Sequence, residues 1–304
     1  MPCKFCKLKP VITLPNSKIN LCKSCFTRYF EKKVLRTIKQ FSLIGKKDHV
    51  VVAVSGGKDS LSCLYFLNKL ANKRMEIKIS ALLIDEGISG YRNKTMIDAE
   101  KFCKENNIPF HIASFKKEIG LTLDEITKKL PNTIPCSVCG VFRRYLLNKY
   151  SRKLKATKLA TGHNLDDESQ SILMNQIRNN TALSARLGPL TGVKRDPKFI
   201  PRIKPFYLLT ERETATYAFL KGFEIEFNEC PYNTVSFRFE IRDLLNNLEL
   251  KYPGTKHGIV NSFLEILPLF KERYKNMEIN SCKECKEPTS SKICTACFLL
   301  KKLK

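Results

Sequence analysis

The chain has 304 residues, of which 43% are hydrophobic and 27% are charged, as expected for a globular protein with one or two domains. Its 54 Lys and Arg residues against 29 Asp and Glu residues give a net charge of +25, which favours a nucleic acid over a membrane as the partner. No apolar run reaches the ~18 residues of a membrane span, and no secretory signal is recognisable, so we expect a cytoplasmic protein.

Residues 1–28 contain two Cys-x2-Cys pairs, a spacing typical of a closed zinc site with four thiolate ligands. A cytosolic chain keeps its thiols reduced, so this pattern indicates a metal rather than disulfides. Apolar residues at helical spacing then predict a linker helix, from Tyr29 to about Ile44, within residues 29–47. The predicted ligands of this zinc finger are Cys3, Cys6, Cys22 and Cys25.

A core domain is predicted over residues 48–205, and it opens on a buried strand at residues 50–54. The sequence Ser55-Gly56-Gly57-Lys58-Asp59-Ser60 follows and leads directly into a helical pattern. Glycines allow close backbone approach, and a helix N-terminus presents free N–H groups to an anion, so this turn predicts a phosphate-binding loop. The spacing is not that of the common nucleoside-triphosphate loop. It resembles the PP-loop of the ATP pyrophosphatase superfamily.

Strands and helices alternate through the rest of this domain, which predicts an α/β fold with a doubly wound parallel sheet. Ligands bind such sheets beyond the carboxyl ends of the strands. We therefore expect the loop at residues 55–60, Asp85 and the turn at Gly162 to converge. The predicted strands lie at 77–84, 109–113 and 159–161, and the predicted helices at 91–106, 121–130, 141–153 and 167–177.

The C-terminal part is predicted to be a helical extension over residues 206–278, with helices at 211–221, 236–250 and 259–274. A second pair of Cys-x2-Cys motifs occupies residues 279–304, followed by a basic tail. We expect a second zinc finger there. Its predicted ligands are Cys282, Cys285, Cys294 and Cys297.

Five of the 13 cysteines lie outside both quartets. Cys63 and Cys103 stand in helical patterns and are expected to be buried, which leaves Cys136, Cys139 and Cys230 to be explained. Three thiolates would suit a [4Fe–4S] cluster with one iron left open, since such clusters are usually held by four cysteines. A persulfide carried by the Cys136–Cys139 pair is an equal alternative on spacing alone.

Three acids, Asp166, Asp167 and Glu168, follow the strand at 159–161 within the sequence GHNLDDESQ. Acids in this position favour a helix N-terminus without any catalytic role. Beside a phosphate-binding loop, one of them would instead hold Mg²⁺ against phosphate oxygens, and Asp166 could act as a general base.

These motifs in this order, with a cysteine quartet at each end, resemble the tRNA 2-thiolation enzymes of the TtcA/TtuA type. The branch with zinc fingers at both termini thiolates uridine. The resemblance implies that Cys136, Cys139 and Cys230 bind a [4Fe–4S] cluster. The expected catalytic residues are Lys58, Asp59, Asp166 and Arg143. Arg143 is included because the family places a basic residue near the active site at that position. The residues expected to hold ATP are Ala53, Ser55, Gly56, Gly57, Lys58, Asp59, Ser60, Asp85, Gly162 and Asp167.

The chemistry expected from this resemblance is adenylation of the uridine C2 oxygen by ATP, then replacement of that oxygen by sulfur carried on the cluster. AMP and pyrophosphate leave. We favour wobble uridine 34 over T-loop uridine 54, because many Asn and 13 Cys residues oppose the thermophile trend. The sulfur donor, sulfide or a ubiquitin-like thiocarboxylated protein, stays open, as does a homodimer. Competing interpretations are a PP-loop synthetase for small molecules and a non-catalytic zinc-ribbon RNA-binding protein.

Overall fold

The computed structural model describes residues 1–73, 76–193, 196–223, 230–232 and 236–303. Its centre is a parallel five-stranded sheet with the order β5-β4-β3-β6-β7, and each Cys quartet region contributes a small antiparallel hairpin. The predicted doubly wound α/β fold is confirmed. The strands are β1 Ile12–Thr13, β2 Asn20–Leu21, β3 His49–Val54, β4 Lys78–Asp85, β5 Phe110–Ser114, β6 Lys158–Thr161, β7 Arg202–Ile203, β8 Asn280–Ser281 and β9 Pro288–Thr289.

The helices cover both faces of the sheet and form most of the C-terminal part, as predicted. The described part of the chain contains no helix long and apolar enough to cross a membrane. The helices are α1 Lys23–Gln40, α2 Lys58–Lys73, α3 Arg92–Glu105, α4 Phe115–Ile119, α5 Leu123–Lys129, α6 Pro135–Lys153, α7 Leu165–Ile177, α8 Thr181–Ser184, α9 Glu211–Leu220, α10 Phe237–Lys251, α11 Thr255–Arg273 and α12 Thr295–Leu303.

The central strand β3 is buried on both faces because its β-branched side chains alternate between two hydrophobic cores. Val50 and Val52 belong to the core shared with α2 and α3, whereas Val51 belongs to the core shared with α6. Ala53 is in register with Leu82 of β4 on one side and Thr161 of β6 on the other. The carboxyl ends of these three strands therefore meet at one edge.

The predicted linker helix packs in the same core as the sheet. α1 begins at Lys23, inside the N-terminal cysteine quartet, rather than at Tyr29. Its Phe30 stacks on Tyr217 of α9 with ring centroids 4.0 Å apart, and its edge meets Phe206 at 5.3 Å. α1 shares the hydrophobic core of the sheet and does not need a core of its own. The predicted domain boundaries remain predictions.

α6 begins at Pro135, six residues before the predicted start at Val141. Proline fits the first helical position because its fixed φ suits the helix and its missing N–H would have no partner there. Cys136 and Cys139 consequently lie in the first turn of α6, not in a loop before it. The other end of α6 carries the C-terminal quartet region, since Asn148 Nδ2 donates to Glu287 Oε2 at 3.0 Å.

We expect Phe30→Ala to lower the free energy of unfolding by about 3–5 kcal/mol, because a fully buried ring is replaced by a cavity between α1 and α9. Urea unfolding of zinc-loaded protein measures the effect. Phe219→Ala is the matched control, because Phe219 lies on α9 with 81% of its surface exposed. Equal losses in the two variants would contradict the packing of α1 onto α9.

Candidate active site

A pocket of about 200 Å³ lies at the carboxyl ends of β3, β4 and β6. The strand order reverses beside β3, so the crossovers leave a crevice between the ends of β3 and β6. The structure brings the PP-loop, residues 55–60, together with the turn at Gly162. At the end of β4 the pocket is lined by Ile84 and by Glu86, the residue after the strand, but not by Asp85. The lining residues are Ala53, Val54, Ser55, Asp59, Ser60, Ile84, Glu86, Arg92, Arg143, Leu147, Thr161, Gly162, His163 and Asp167.

The PP-loop is held in a tight turn by its own serines. Ser60 Oγ accepts from the Ser55 N–H at 3.1 Å and donates to the Gly57 carbonyl at 2.9 Å. Gly56 has a φ of +83°, and a Cβ there would lie 2.6 Å from the Thr95 carbonyl oxygen. Only glycine therefore fits at this position.

Gly162 makes the second close approach. A Cβ at this position would lie 2.7 Å from the backbone carbonyl of Asp59 and 2.8 Å from the Ser60 nitrogen. The turn after β6 thus rests directly on the first turn of α2. This contact sets the separation between the two walls of the pocket.

Lys58 and Asp59 are both held by α9. Lys58 Nζ lies 2.8 Å from Glu211 Oε1 and 3.1 Å from Asp59 Oδ2, and it does not line the pocket. Burial opposes its charge, but Asp59 and Glu211 raise the pKa of Lys58 to about 12. Asp59 accepts a short hydrogen bond from the Thr214 hydroxyl, and burial raises the pKa of its carboxyl group.

The two neighbouring acids of α7 point to different places. Asp167 lines the pocket, and burial raises the pKa of its carboxyl group. Asp166 is 7% exposed and does not line the pocket. One of its oxygens pairs with Lys256 Nζ and the other accepts from the Glu211 N–H at 2.8 Å. Asp166 therefore joins α7 to α9 and α11, and its predicted role as a base stays a prediction.

Asp85 also has a backbone role, because its Oδ1 accepts from the Gly87 N–H at 2.8 Å. Three residues of the pocket lining, Glu86, Arg92 and His163, were not among the predicted site residues. His163 Nδ1 lies 2.8 Å from Thr161 Oγ1, and desolvation in the pocket wall lowers its pKa to about 4. A usable signal was present for Glu86, since it directly follows a buried strand.

Cys136, Cys139 and Cys230 lie next to this pocket. Cys139 precedes Arg143 by one turn of α6, and burial and the nearby Glu86 raise the pKa of its thiol to about 12. Burial and Cys230 raise the pKa of Cys136, whose thiol donates to the Tyr232 carbonyl at 3.2 Å. Cys230 therefore approaches the first turn of α6 from a distant part of the sequence.

The three thiols do not form the tight group that a single ion requires. Their Sγ atoms do not all lie within 4.8 Å of one another, whereas those of each terminal quartet do. A zinc ion binds sulfur at about 2.3 Å, which holds the ligands close together. A cluster spreads its thiolates over several iron atoms, so the looser arrangement fits a cluster better than a single ion.

Both terminal quartets have the geometry of a four-thiolate metal site. In the N-terminal quartet, the Ser24 hydroxyl is the main cause that lowers the pKa of Cys22 to about 6. In the C-terminal quartet burial opposes the thiolate, but backbone N–H groups of Cys285 and Cys294 lower the pKa of Cys282 to about 6. Both groups can bind a metal ion.

The sequence matches the family model described as the PP-loop domain over residues 27–248. The chain belongs to the PP-loop family. It is 40% identical over 98% of its length to the tRNA-5-methyluridine(54) 2-sulfurtransferase of Pyrococcus horikoshii, and covers 93% of that protein. It is 33% identical to the tRNA 2-thiolation protein NcsA of Haloferax volcanii, over all of this chain and 99% of the relative. Its branch of the PP-loop family is therefore that of the tRNA 2-thiolation proteins, as predicted.

A solved structure in this branch has the same fold. The U34-tRNA thiolase NcsA from Methanococcus maripaludis, solved with its [4Fe–4S] cluster, matches with a TM-score of 0.87 and 35% identity. The match covers 100% of this chain and 96% of that protein. The structural likeness to that protein therefore extends over the whole of this chain, from the N-terminal quartet region through the PP-loop to the C-terminal quartet region.

We expect Gly162→Ala to weaken ATP binding and to lower the free energy of unfolding by about 1–3 kcal/mol, because the added Cβ meets backbone that cannot move alone. Calorimetric titration with ATP and urea unfolding measure the two effects. Gly258→Ala on α11 is the control, since a Cβ there meets nothing within 4 Å. Normal ATP binding by Gly162→Ala would contradict the role of this contact in placing the PP-loop.

Proposed function

We propose that this protein is an ATP-dependent tRNA 2-thiouridine synthetase. The observation that carries the proposal is the adjacency of two sites: a PP-loop pocket and a group of three cysteines, with Arg143 beside both. A small-molecule PP-loop synthetase does not require such thiols, and a non-catalytic RNA-binding protein does not require the pocket. The names of the relatives and the net charge of +25 support the same proposal.

The PP-loop and the N-terminus of α2 would bind the ATP phosphates. Free N–H groups and the positive end of the helix dipole face the loop, and Lys58 begins α2. Asp59 and Asp167 present carboxylates to the same pocket, which suits Mg²⁺ bound to phosphate oxygens. We therefore assign Mg²⁺ to these two acids and assign Asp166 to the support of α9.

In the first step, the uridine C2 oxygen attacks the α-phosphorus of ATP, and pyrophosphate leaves. Lys58 and Arg143 stabilise the negative charge that develops on the phosphates. Lys58 must exchange its contact with Glu211 for the phosphates, which a side chain with 19% exposure at the edge of α2 can do. In the second step, sulfur attacks C2, the C–O bond breaks and AMP leaves with the former carbonyl oxygen. Adenylation makes that oxygen a good leaving group.

Cys136, Cys139 and Cys230 would hold the [4Fe–4S] cluster, which fits their loose grouping at the first turn of α6. When bound, such a cluster supplies an iron with an open position for sulfur. The protein places a cation, Arg143, next to these thiols, where it can steady an anionic sulfur donor. The two terminal quartets would each hold a structural Zn²⁺.

Uridine 34 stays our favoured target, and uridine 54 is the alternative. The relatives include a protein named for each position. The proposed sulfur donor is either sulfide or a thiocarboxylated protein. A homodimer and a cytoplasmic location are further parts of the proposal. Mass spectrometry of tRNA nucleosides from a deletion strain, mapped by fragment, identifies the modified position.

The decisive experiment is substitution of Ser for Cys136, Cys139 or Cys230. Each variant is expected to lose iron and thiolation activity together, because each removes one of three cluster ligands. Iron, zinc and labile sulfide per chain are measured beside anaerobic thiolation with ATP and sulfide. Cys103→Ser is the matched control, since Cys103 is a buried thiol of α3 outside these groups.

The zinc content of all these variants should equal that of the parent protein. Full activity from an iron-free, aerobically purified protein would refute the cluster. Substantial activity of iron-free Cys230→Ser would instead support a persulfide on the Cys136–Cys139 pair. An absence of thiolation by the parent protein, reconstituted with iron, would refute the proposed function as a whole.

Lys58→Ala is expected to lower the thiolation rate by about 10²–10³-fold, because a charge-stabilising donor is lost from the phosphate site. tRNA affinity and iron content should stay at parental values, since Lys58 lies outside the cysteine group. Gel shift, iron assay and single-turnover thiolation measure these quantities. Lys116→Ala, which removes a surface lysine paired with Glu125, is the control. A parallel loss of tRNA affinity would contradict the phosphate role.

A further inference from the structure

Glu86 carries a buried carboxylate at the end of β4, with 1% of the residue exposed. Two guanidinium groups flank it: Arg92 Nη2 lies 2.5 Å from Oε2, and Arg143 Nε lies 3.3 Å from Oε1. Burying a charge is costly unless it is paired. One carboxylate therefore holds two cations, and all three side chains line the pocket.

Arg92 connects this carboxylate to the PP-loop. It is 4% exposed, and its Nη1 donates to the Ser55 carbonyl at 3.1 Å and to Thr95 Oγ1 at 3.2 Å. Thr95 is the residue against which Gly56 packs. A displacement of the loop is therefore transmitted to Arg92, because these contacts leave little free space between them.

Arg143 connects the same carboxylate to the thiols. Its side chain is 45% exposed, and its guanidinium contacts the buried carboxylate of Glu86 on one side and the Cys139 side chain on the other. Cys139 lies one turn before it on the same face of α6.

The contacts of Glu86 are ion pairs without a full set of hydrogen bonds. Within the described residues, neither Glu86 Oε2 nor Arg92 Nε has a hydrogen bond of acceptable geometry. A bidentate arginine–carboxylate pair would use both. Arg92 and Arg143 are therefore held to Glu86 by charge attraction at short range, and neither forms a bidentate pair with it.

We propose that Glu86 is a positioning residue, which orients Arg143 between the nucleotide pocket and the thiols while Arg92 links this pair to the PP-loop. This inference rests on the proposed function and assigns to Glu86 a part in it. The competing interpretation is an ion pair that only stabilises the fold. The two differ in whether the effect of Glu86 passes through Arg143.

The test is a double-mutant cycle of Glu86→Gln and Arg143→Gln, measured with iron-reconstituted protein and tRNA. Positioning predicts that Glu86→Gln lowers kcat by about 10²-fold, since a displaced catalytic group costs this much, with the KM for ATP changed less than about threefold. The double variant should be no slower than Arg143→Gln alone. Independent effects would multiply instead.

Two further readouts separate positioning from folding. Iron content and ATP affinity of Glu86→Gln, the latter measured by calorimetry on protein without tRNA, should stay within about twofold of the parent under positioning. Glu272→Gln, an exposed carboxylate paired with Lys275, is the matched control and should change nothing. If Glu86→Gln does not fold, Glu86→Asp replaces it in the cycle, since it keeps the charge but shortens the reach to Arg143.

Multiplying effects in the cycle, or full kcat in Glu86→Gln, would overturn the inference while leaving the proposed function intact. Glu86→Gln could also lose iron and ATP affinity while Arg143→Gln keeps both at parental values. That result would assign the ion pair to stabilisation of the fold alone. Failure of the parent protein to thiolate tRNA would refute the proposed function instead. The three outcomes are distinguishable in one set of measurements.

Discussion

The contact between Gly162 and the backbone of Asp59 and Ser60 is the constraint on which the pocket depends. It exists because β3 and β6 are parallel neighbours whose connections leave on opposite faces of the sheet. Two loops that are about a hundred residues apart in sequence thereby become the two walls of one crevice. Any side chain at position 162 would separate these walls and move the PP-loop away from the acids of α7.

Buried ion pairs behind the pocket stiffen its walls. Lys204 pairs with Glu168 at 2.7 Å, and Lys256 pairs with Asp166, so β7 and α11 are both tied to α7. Such pairs give little net stability, because desolvation of the charges offsets their attraction. The pairs mainly fix the relative positions of the elements that they join, because a displacement that separates the partners leaves a buried charge without its counter-charge. This architecture holds Asp167 toward the pocket while Asp166 turns away from it.

The cysteine-rich ends are anchored to elements that form the site. The N-terminal quartet continues into α1, which packs on α9, and α9 contacts both Lys58 and Asp59. The C-terminal quartet is fixed to α6 through Glu287, which pairs with Arg152 and accepts from Asn148. A metal ion bound at either end would therefore support a helix that reaches the pocket, and its loss would affect the pocket through packing rather than through direct contact.

Local sequence alone predicted four of the five strands of the sheet, most of the longer helices and the PP-loop, because a buried strand, a glycine turn and a helix start are set by neighbouring residues. It also predicted both cysteine quartets that could hold a metal ion, because the spacing of their ligands is a local property. It could not place α6 at Pro135, since the helix start depends on a proline whose effect is weak without tertiary packing.

Only the tertiary structure separated Asp166 from Asp167 and replaced Asp85 by Glu86 at the pocket. Adjacent residues on a helix or after a strand point in different directions, and the partner that each one meets comes from a distant segment, as Lys256 and Arg143 do here. The convergence of Cys230 on α6 has the same origin, because contacts between distant segments are absent from any local pattern.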